Sequence, residues 1–250
     1  MSNQIHPTAI IGDQVKIGQN NIIGPYAILD GNITIGDNNI VGPYSSFSNN
    51  VIIGNNNKFT SYVSVGTLGE MGTKGDVFLP EGIVSIGNNN VFREFISINS
   101  PVRRTSTSIK DNGYFMSRTY IPHDAQIGNA VVMATNSSIG GGCTVSDFAY
   151  IGFNASIHQW IEIGESAMIG LQAGVTKHTP PFCIVIGTPA QIFKINRVGA
   201  LRRGYTEQEI LEAEQYLPSV IQERFVSENR IITSIHNFIK GREETMKRFV

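Results

Sequence analysis

His123 is followed directly by Asp124. Histidine is the natural general base near neutral pH, and a neighbouring carboxylate can orient the imidazole and raise its basicity. Eighteen residues further on lies Gly141, flanked by Gly140 and Gly142, and eighteen beyond that lies Gln159, preceded by His158. Glycine lets a substrate approach backbone N–H donors, as an oxyanion site requires. At one interval the chain therefore repeats a base, a candidate oxyanion donor and a polar side chain able to touch a substrate. A corner histidine bonded only to the adjoining layer of chain is the plainer reading of His123. His6, His178 and His236 lack such company and read as structural or solvated. The histidines show neither metal-ligand spacing nor a cluster with cysteine, so no metal centre is expected. Walker A, GxSxG and post-strand GxGxxG motifs are all missing from the sequence.

The interval of 18 is built from sixes. From Ile5 through Val65 every sixth residue is apolar; the count resumes at Ile86, Phe92 and Ile98, and runs again from Ile109 to Val175. All 26 of these positions are apolar in a chain that is 41% hydrophobic. Neither a helix nor an ordinary strand has this period; a hexapeptide repeat does, and it predicts a parallel β-helix. Ile17-Gly-Gln-Asn-Asn, Ile35-Gly-Asp-Asn-Asn and Ile53-Gly-Asn-Asn-Asn recur at 18, so three hexads make one coil with three flat sides. Gly and Asn crowd the expected corners, where positive φ is cheapest.

The same count stacks side chains. Ile98, Ile121, Ile139 and Ile157 fall on one side of successive coils, so Ser100, His123, Gly141 and Gln159 form a column, with Asn99, Pro122, Gly140 and His158 beside it. Two insertions break the count: 15 extra residues within 66–84, on the side that carries His123, and five within 99–108, which include Arg103 and Arg104. Loops inserted into a solenoid usually serve binding.

The repeat is expected to stop at Pro180-Pro181. After it, Thr206-Glu-Gln-Glu209 reads as a capping box, and Pro218 and Gly241 are expected to punctuate about three short helices. The expected architecture is all-β with an α-helical C-terminal cap: a β-helix over 1–190 and a helical domain over 191–250. Net charge is −1, which excludes an overall basic field for nucleic acid or an anionic membrane. The two cysteines, Cys143 and Cys183, form no CxxC and read as reduced thiols. With no secretory signal and no apolar run of about 20 residues, the expected location is the cytoplasm.

Ile5-His-Pro-Thr-Ala, Ile121-Pro-His-Asp, Ile157-His-Gln and Phe193-Lys-Ile-Asn-Arg-Val-Gly-Ala-Leu-Arg-Arg-Gly-Tyr, together with the hexads, resemble the UDP-N-acetylglucosamine O-acyltransferase family of lipid A biosynthesis. The resemblance covers nearly the whole chain. It implies a left-handed coil and a homotrimer with active sites between adjacent prisms. It places His123 on the family's general base, Asp124 beside it, Gly141 on the oxyanion glycine, and His158 and Gln159 at the cleft. Asn196, Arg202 and Arg203 match residues that hold the donor's phosphopantetheine arm or phosphate end. The co-substrate is then an acyl-CoA or an acyl carrier protein (ACP) thioester, with no permanently bound cofactor.

Departures from the family pattern fall in the cleft. Tyr120, Gly142 and Asn99 stand where the family has histidines, and the loop from Leu68 is about three residues longer. These changes lead to the expectation of N-acylation of a nucleotide-linked amino sugar. The alternatives are O-acylation of UDP-N-acetylglucosamine itself and a non-catalytic β-helix scaffold.

Overall fold

The computed structural model describes residues 2–70, 75–77, 79–222 and 227–242. Part of the first insertion, residues 71–74, and the C-terminal end of the expected helical domain, from residue 243, lie outside the described residues.

The hexads form a parallel β-solenoid. Most strands are two residues long and pair with the strand one coil above. One side stacks Val65, Ile98, Ile121, Ile139, Ile157 and Val175, which is the order expected from the count. A second side stacks Ile109, Ile127, Val145 and Ile163, and a third stacks Phe92, Phe115, Met133, Ile151 and Ile169. From Ile23 to Val175 the hexad positions are buried. Inside, Phe59 and Phe92 stack at 4.7 Å and Phe92 and Phe115 at 4.9 Å, matching the spacing of neighbouring strands. Ile5 departs from the inward pattern and is 44% exposed. It sits in the first coil, which has a neighbour on one side only.

Corner chemistry differs from the expectation for glycine. Positive φ is carried mostly by other residues, including Asn20, Asn38, Asn56 and Asn89. The asparagine that follows each of these is buried and serves differently. Asn21 Oδ1 accepts from the Asn39 N–H at 2.8 Å, Asn39 from Asn57 at 2.8 Å, and Asn57 from Asn90 at 2.9 Å. A ladder of amides thus satisfies backbone donors that the turn leaves unpaired. The corner glycines are needed for closeness: a Cβ on Gly36 would lie 2.7 Å from the Gly54 carbonyl oxygen, and one on Gly42 would collide with the Thr60 carbonyl. Gly42→Ala is therefore expected to force two coils apart and to cost about 3 kcal/mol or more. Thermal or urea melting against the parent protein checks it.

The stack also continues past Pro181. Cys183–Ile186 adds a strand parallel to Met168–Ile169, and only then does Gln191–Ile195 turn back antiparallel and end the repeat. The prolines interrupt the hexad spacing, but backbone pairing resumes two residues later. Helices α1 (Arg197–Arg202), α2 (Glu207–Gln222) and α3 (Arg230–Lys240) follow. Phe182, Cys183, Ile195, Ala200, Ile210, Ala213, Ile231 and Ile235 form a second core beneath them. The capping box is made: the Thr206 N–H donates to Glu209 Oε2 at 2.8 Å, and the Glu209 N–H to Thr206 Oγ1 at 3.2 Å. Residue 218 does not end α2, which runs on to Gln222. A proline removes one helical hydrogen bond, and packing of α2 against α3 and the last strand outweighs that loss. No described helix is long and apolar enough to cross a membrane.

Candidate active site

The expected column is present. A Cβ on Gly141 would fall against the His123 imidazole, 2.6 Å from Nε2, so only glycine leaves room for the ring one coil below. The Gly142 N–H donates to the His123 carbonyl at 3.0 Å, and the Trp160 N–H to the Gly141 carbonyl at 2.9 Å. The Gly141 N–H has no acceptor among the described residues. Gln159 continues the column, and both it and His158 are exposed.

His123 Nδ1 lies 2.8 Å from Asp124 Oδ2, with the Asp124 side chain fully buried and the histidine side chain 12% exposed. Asp124 takes φ +65° at the corner, which turns its carboxylate inward beside the ring. The second insertion supplies the rest of its surroundings. Asp124 Oδ1 accepts from the backbone N–H groups of Val102 at 3.0 Å, Arg103 at 2.9 Å and Arg104 at 2.7 Å. The Asp124 N–H donates to Thr107 Oγ1 at 2.9 Å. Burial pulls the Asp124 carboxyl upward, but the bonds from His123 and from these three N–H groups outweigh it and hold the carboxyl below its usual range. An ionised Asp124 favours the tautomer with the proton on His123 Nδ1, in which Nε2, facing Gly141, carries the lone pair.

Both insertions converge here. In the first, Gly69–Glu70 pairs antiparallel with Asp76–Val77. A Cβ on Gly69 would lie 3.0 Å from the His123 Cβ and 3.0 Å from the Ser100 carbonyl oxygen. Tyr120 and Asn99, which the resemblance sets on family histidines, bond to each other: the Tyr120 hydroxyl donates to Asn99 Oδ1 at 2.7 Å, and Asn99 Nδ2 to Thr67 Oγ1 at 2.8 Å. Burial, then the charge and hydrogen bond of Glu70, push the Tyr120 phenol up to about 12, so it remains a neutral donor. Asn99, Thr67, Leu68, Glu70, Ser97, Ser48 and Asn49 line a cavity of about 440 Å³.

Asn196, Arg202 and Arg203 do not join this group. They lie with Phe148, Tyr150 and Met168 around a cavity of about 670 Å³ on a different edge of the same prism. Asn196 caps α1, accepting from the Gly199 N–H at 3.1 Å and donating to the Ser166 carbonyl at 2.8 Å. Arg203 lies 3.6 Å over the Phe148 ring, and both arginines are exposed.

His178 accepts from the Glu162 N–H at 3.0 Å and is buried, in keeping with a structural role. Cys143 and Cys183 are buried free thiols, pushed up by burial to about 11 and about 12. Among the described residues no cluster could hold a metal ion. Sequence reasoning did not find Thr107, Glu70, or the three N–H groups around Asp124. A backbone donor has no residue signature; the available signal was that the insertion begins one coil below the histidine and must return past it.

The C-terminal residues 179–247 match the family model for domain 2 of UDP-N-acetylglucosamine O-acyltransferase. An acyl-[acyl-carrier-protein]–UDP-N-acetylglucosamine O-acyltransferase from Paracoccus denitrificans is 35% identical over 131 residues, 52% of this chain and 50% of the relative. One from Verminephrobacter eiseniae is 36% identical over 102 residues, 41% of this chain and 39% of the relative. The matched sequence thus spans about half or less of these curated relatives. The UDP-N-acetylglucosamine acyltransferase structures from Francisella novicida and Bacteroides fragilis superpose with a TM-score of 0.82 each at 26% identity. They cover 99% and 95% of this chain, and 90% and 97% of their own. The coil register, the cap and these likenesses agree: the chain is a hexapeptide-repeat protein similar in fold, and in its C-terminal domain, to UDP-N-acetylglucosamine O-acyltransferases.

Proposed function

We propose that this chain transfers an acyl group from an acyl-ACP thioester to a hydroxyl of UDP-N-acetylglucosamine. The observation that carries the proposal is the His123–Asp124 pair packed on Gly141, with both inserted loops closing on it. His123 Nε2 removes the proton of the attacking hydroxyl as its oxygen forms a bond to the thioester carbon. The Gly141 N–H stabilises the resulting oxyanion. Collapse expels the phosphopantetheine thiolate, which takes the proton back from His123. The relatives' names support the ACP donor and the UDP-sugar acceptor.

The same reading includes a left-handed coil and a homotrimer. Support for the trimer comes from the separation of the two pockets: His123 and Arg203 occupy different edges of one chain, and a neighbouring prism brings unlike edges together. Tyr26, Tyr44, Tyr62 and Phe95 also stack at 5.1 Å intervals along an exposed third edge, an apolar strip suited to burial between copies. A non-catalytic scaffold has no use for a buried carboxylate fixed by three N–H groups against an imidazole.

One observation favours a second reading, N-acylation of a nucleotide-linked amino sugar with an acyl-CoA or acyl-ACP donor. Asn99 and Tyr120 are bonded to each other where the resemblance implies imidazoles, so those bases are missing beside the cavity that Asn99 shares with Glu70. Purified protein supplied with acyl-ACP or acyl-CoA, and with UDP-N-acetylglucosamine or nucleotide amino sugars, separates the readings by mass spectrometry. An alkali-labile ester on UDP-N-acetylglucosamine is the expected product. A stable amide made only from amino sugars overturns O-acylation, and no product from any pair overturns both.

A further inference from the structure

Arg103 and Arg104 reach Asp124 through their backbone N–H groups, and Arg104 also through one guanidinium N–H, which leaves the placement of the two guanidinium charges to be explained. The geometry points to a phosphate-binding site formed by these two guanidinium groups on the face of Trp160, beside the His123–Gly141 pair.

Gly142 makes the seat. It has φ +71°, and a Cβ there would lie on the Trp160 indole, 2.6 Å from Cδ2, so its absence admits the ring next to Gly141. The Arg103 guanidinium carbon stands 5.9 Å from the indole centroid and that of Arg104 stands 5.4 Å away. Arg104 is further fixed by donating from Nη1 to the Asp124 carbonyl at 2.8 Å. An indole face attracts guanidinium charge and sets its plane.

Among the described residues the two like charges have no ion-pairing carboxylate to balance them. The nearby Asp124 carboxylate is buried and already engaged by backbone N–H groups and His123. Arg103 is exposed and Arg104 partly so. Two oriented, unpaired guanidinium groups suit the bidentate geometry of phosphate oxygens. They lie at a different edge from Arg202 and Arg203, so the chain carries two arginine pairs. This inference rests on the acyl-transfer reading for its source of phosphate. Both substrates of that reading carry one: the nucleotide has a diphosphate, and the donor has a phosphopantetheine arm.

The test is calorimetric titration of the full chain with UDP and, separately, with CoA as a probe for the donor arm. Wild type is compared with Arg103→Gln and with the Arg103→Gln/Arg104→Gln double variant, each checked by melting. Among the described residues Arg103 makes no side-chain hydrogen bond, so the single variant keeps the test open if the double variant folds poorly. A loss of about tenfold in affinity per guanidinium is expected, as for a charge-assisted hydrogen bond. A loss confined to UDP assigns the site to the acceptor, and one confined to CoA assigns it to the donor. Unchanged affinity for both probes, or no binding of either to wild type, overturns the site. Because binding is read without turnover, a wild type that binds through these arginines yet makes no product would sink the acyltransferase reading and leave the phosphate site standing.

Discussion

His123→Ala is expected to lower kcat by about 10²–10⁴-fold, the usual contribution of a positioned general base, while the protein stays folded. The ring packs on Gly141 and is 12% exposed, so its loss opens a small space without exposing a core layer. KM for either substrate is expected to change little, because Nε2 acts on a proton in flight and not on bound phosphate. Steady-state rates from the product assay, with melting of the variant alongside, provide the check. Activity within a few-fold of the parent would remove His123 from the chemistry and leave it as a packing residue. Such a result would also favour an amine acceptor, whose free form is already nucleophilic.

Asp124→Asn carries the second large effect. The Asp124 carboxylate accepts from three backbone N–H groups on Oδ1, and its Oδ2 faces His123 Nδ1 at 2.8 Å. An asparagine can keep the first set with its oxygen, but its NH₂ then faces Nδ1 as a donor. The ring must take the tautomer protonated on Nε2, which cannot act as a base toward Gly141's side. In a comparable triad such a change costs about 10⁴-fold, and a loss of about 10³–10⁴ in kcat is expected here. Asp124→Ala adds a stability cost of about 3–5 kcal/mol, because it strands buried N–H donors of the 102–104 turn.

The sign of the pH dependence follows. The folded-state carboxyl lies below its ordinary value, so its stabilisation is fully present above the unfolded value of about 3.9 and is lost as pH falls through the folded one. Urea melts of parent and Asp124→Asn protein should therefore differ most at neutral pH and converge on acidification. A gap that stays constant down to pH 2 would remove the ionised carboxylate from the explanation.

Much of this was legible in residue order because a solenoid turns sequence separation into vertical distance. Where no insertion intervenes the neighbour above is 18 residues away, so the column of His123, Gly141 and Gln159 could be written down before any coordinates. The six-residue count likewise placed every hexad position from Ile23 to Val175 in the interior. The reasoning ran short wherever the count is interrupted. It placed the 66–84 loop on the correct side, yet it could not see that Gly69 would rest on His123 or that Glu70 would sit beside Tyr120. It marked Arg103 and Arg104 as inserted residues, yet could not show that their backbone N–H groups hold Asp124 while their side chains lie on Trp160. It misjudged the corner glycines because clearance between coils is a property of the stack and not of one residue's φ.

The sequence by itself determined the repeat, the side of the prism that bears the base, and the glycine above it, since these depend only on a regular register. The tertiary structure alone decided which donors surround Asp124, which ring fills the space left by Gly142, and that Arg202 and Arg203 stand at another edge. Those contacts depend on the paths of irregular loops and on the seating of the helical cap, where neighbours in space no longer keep a fixed distance along the chain.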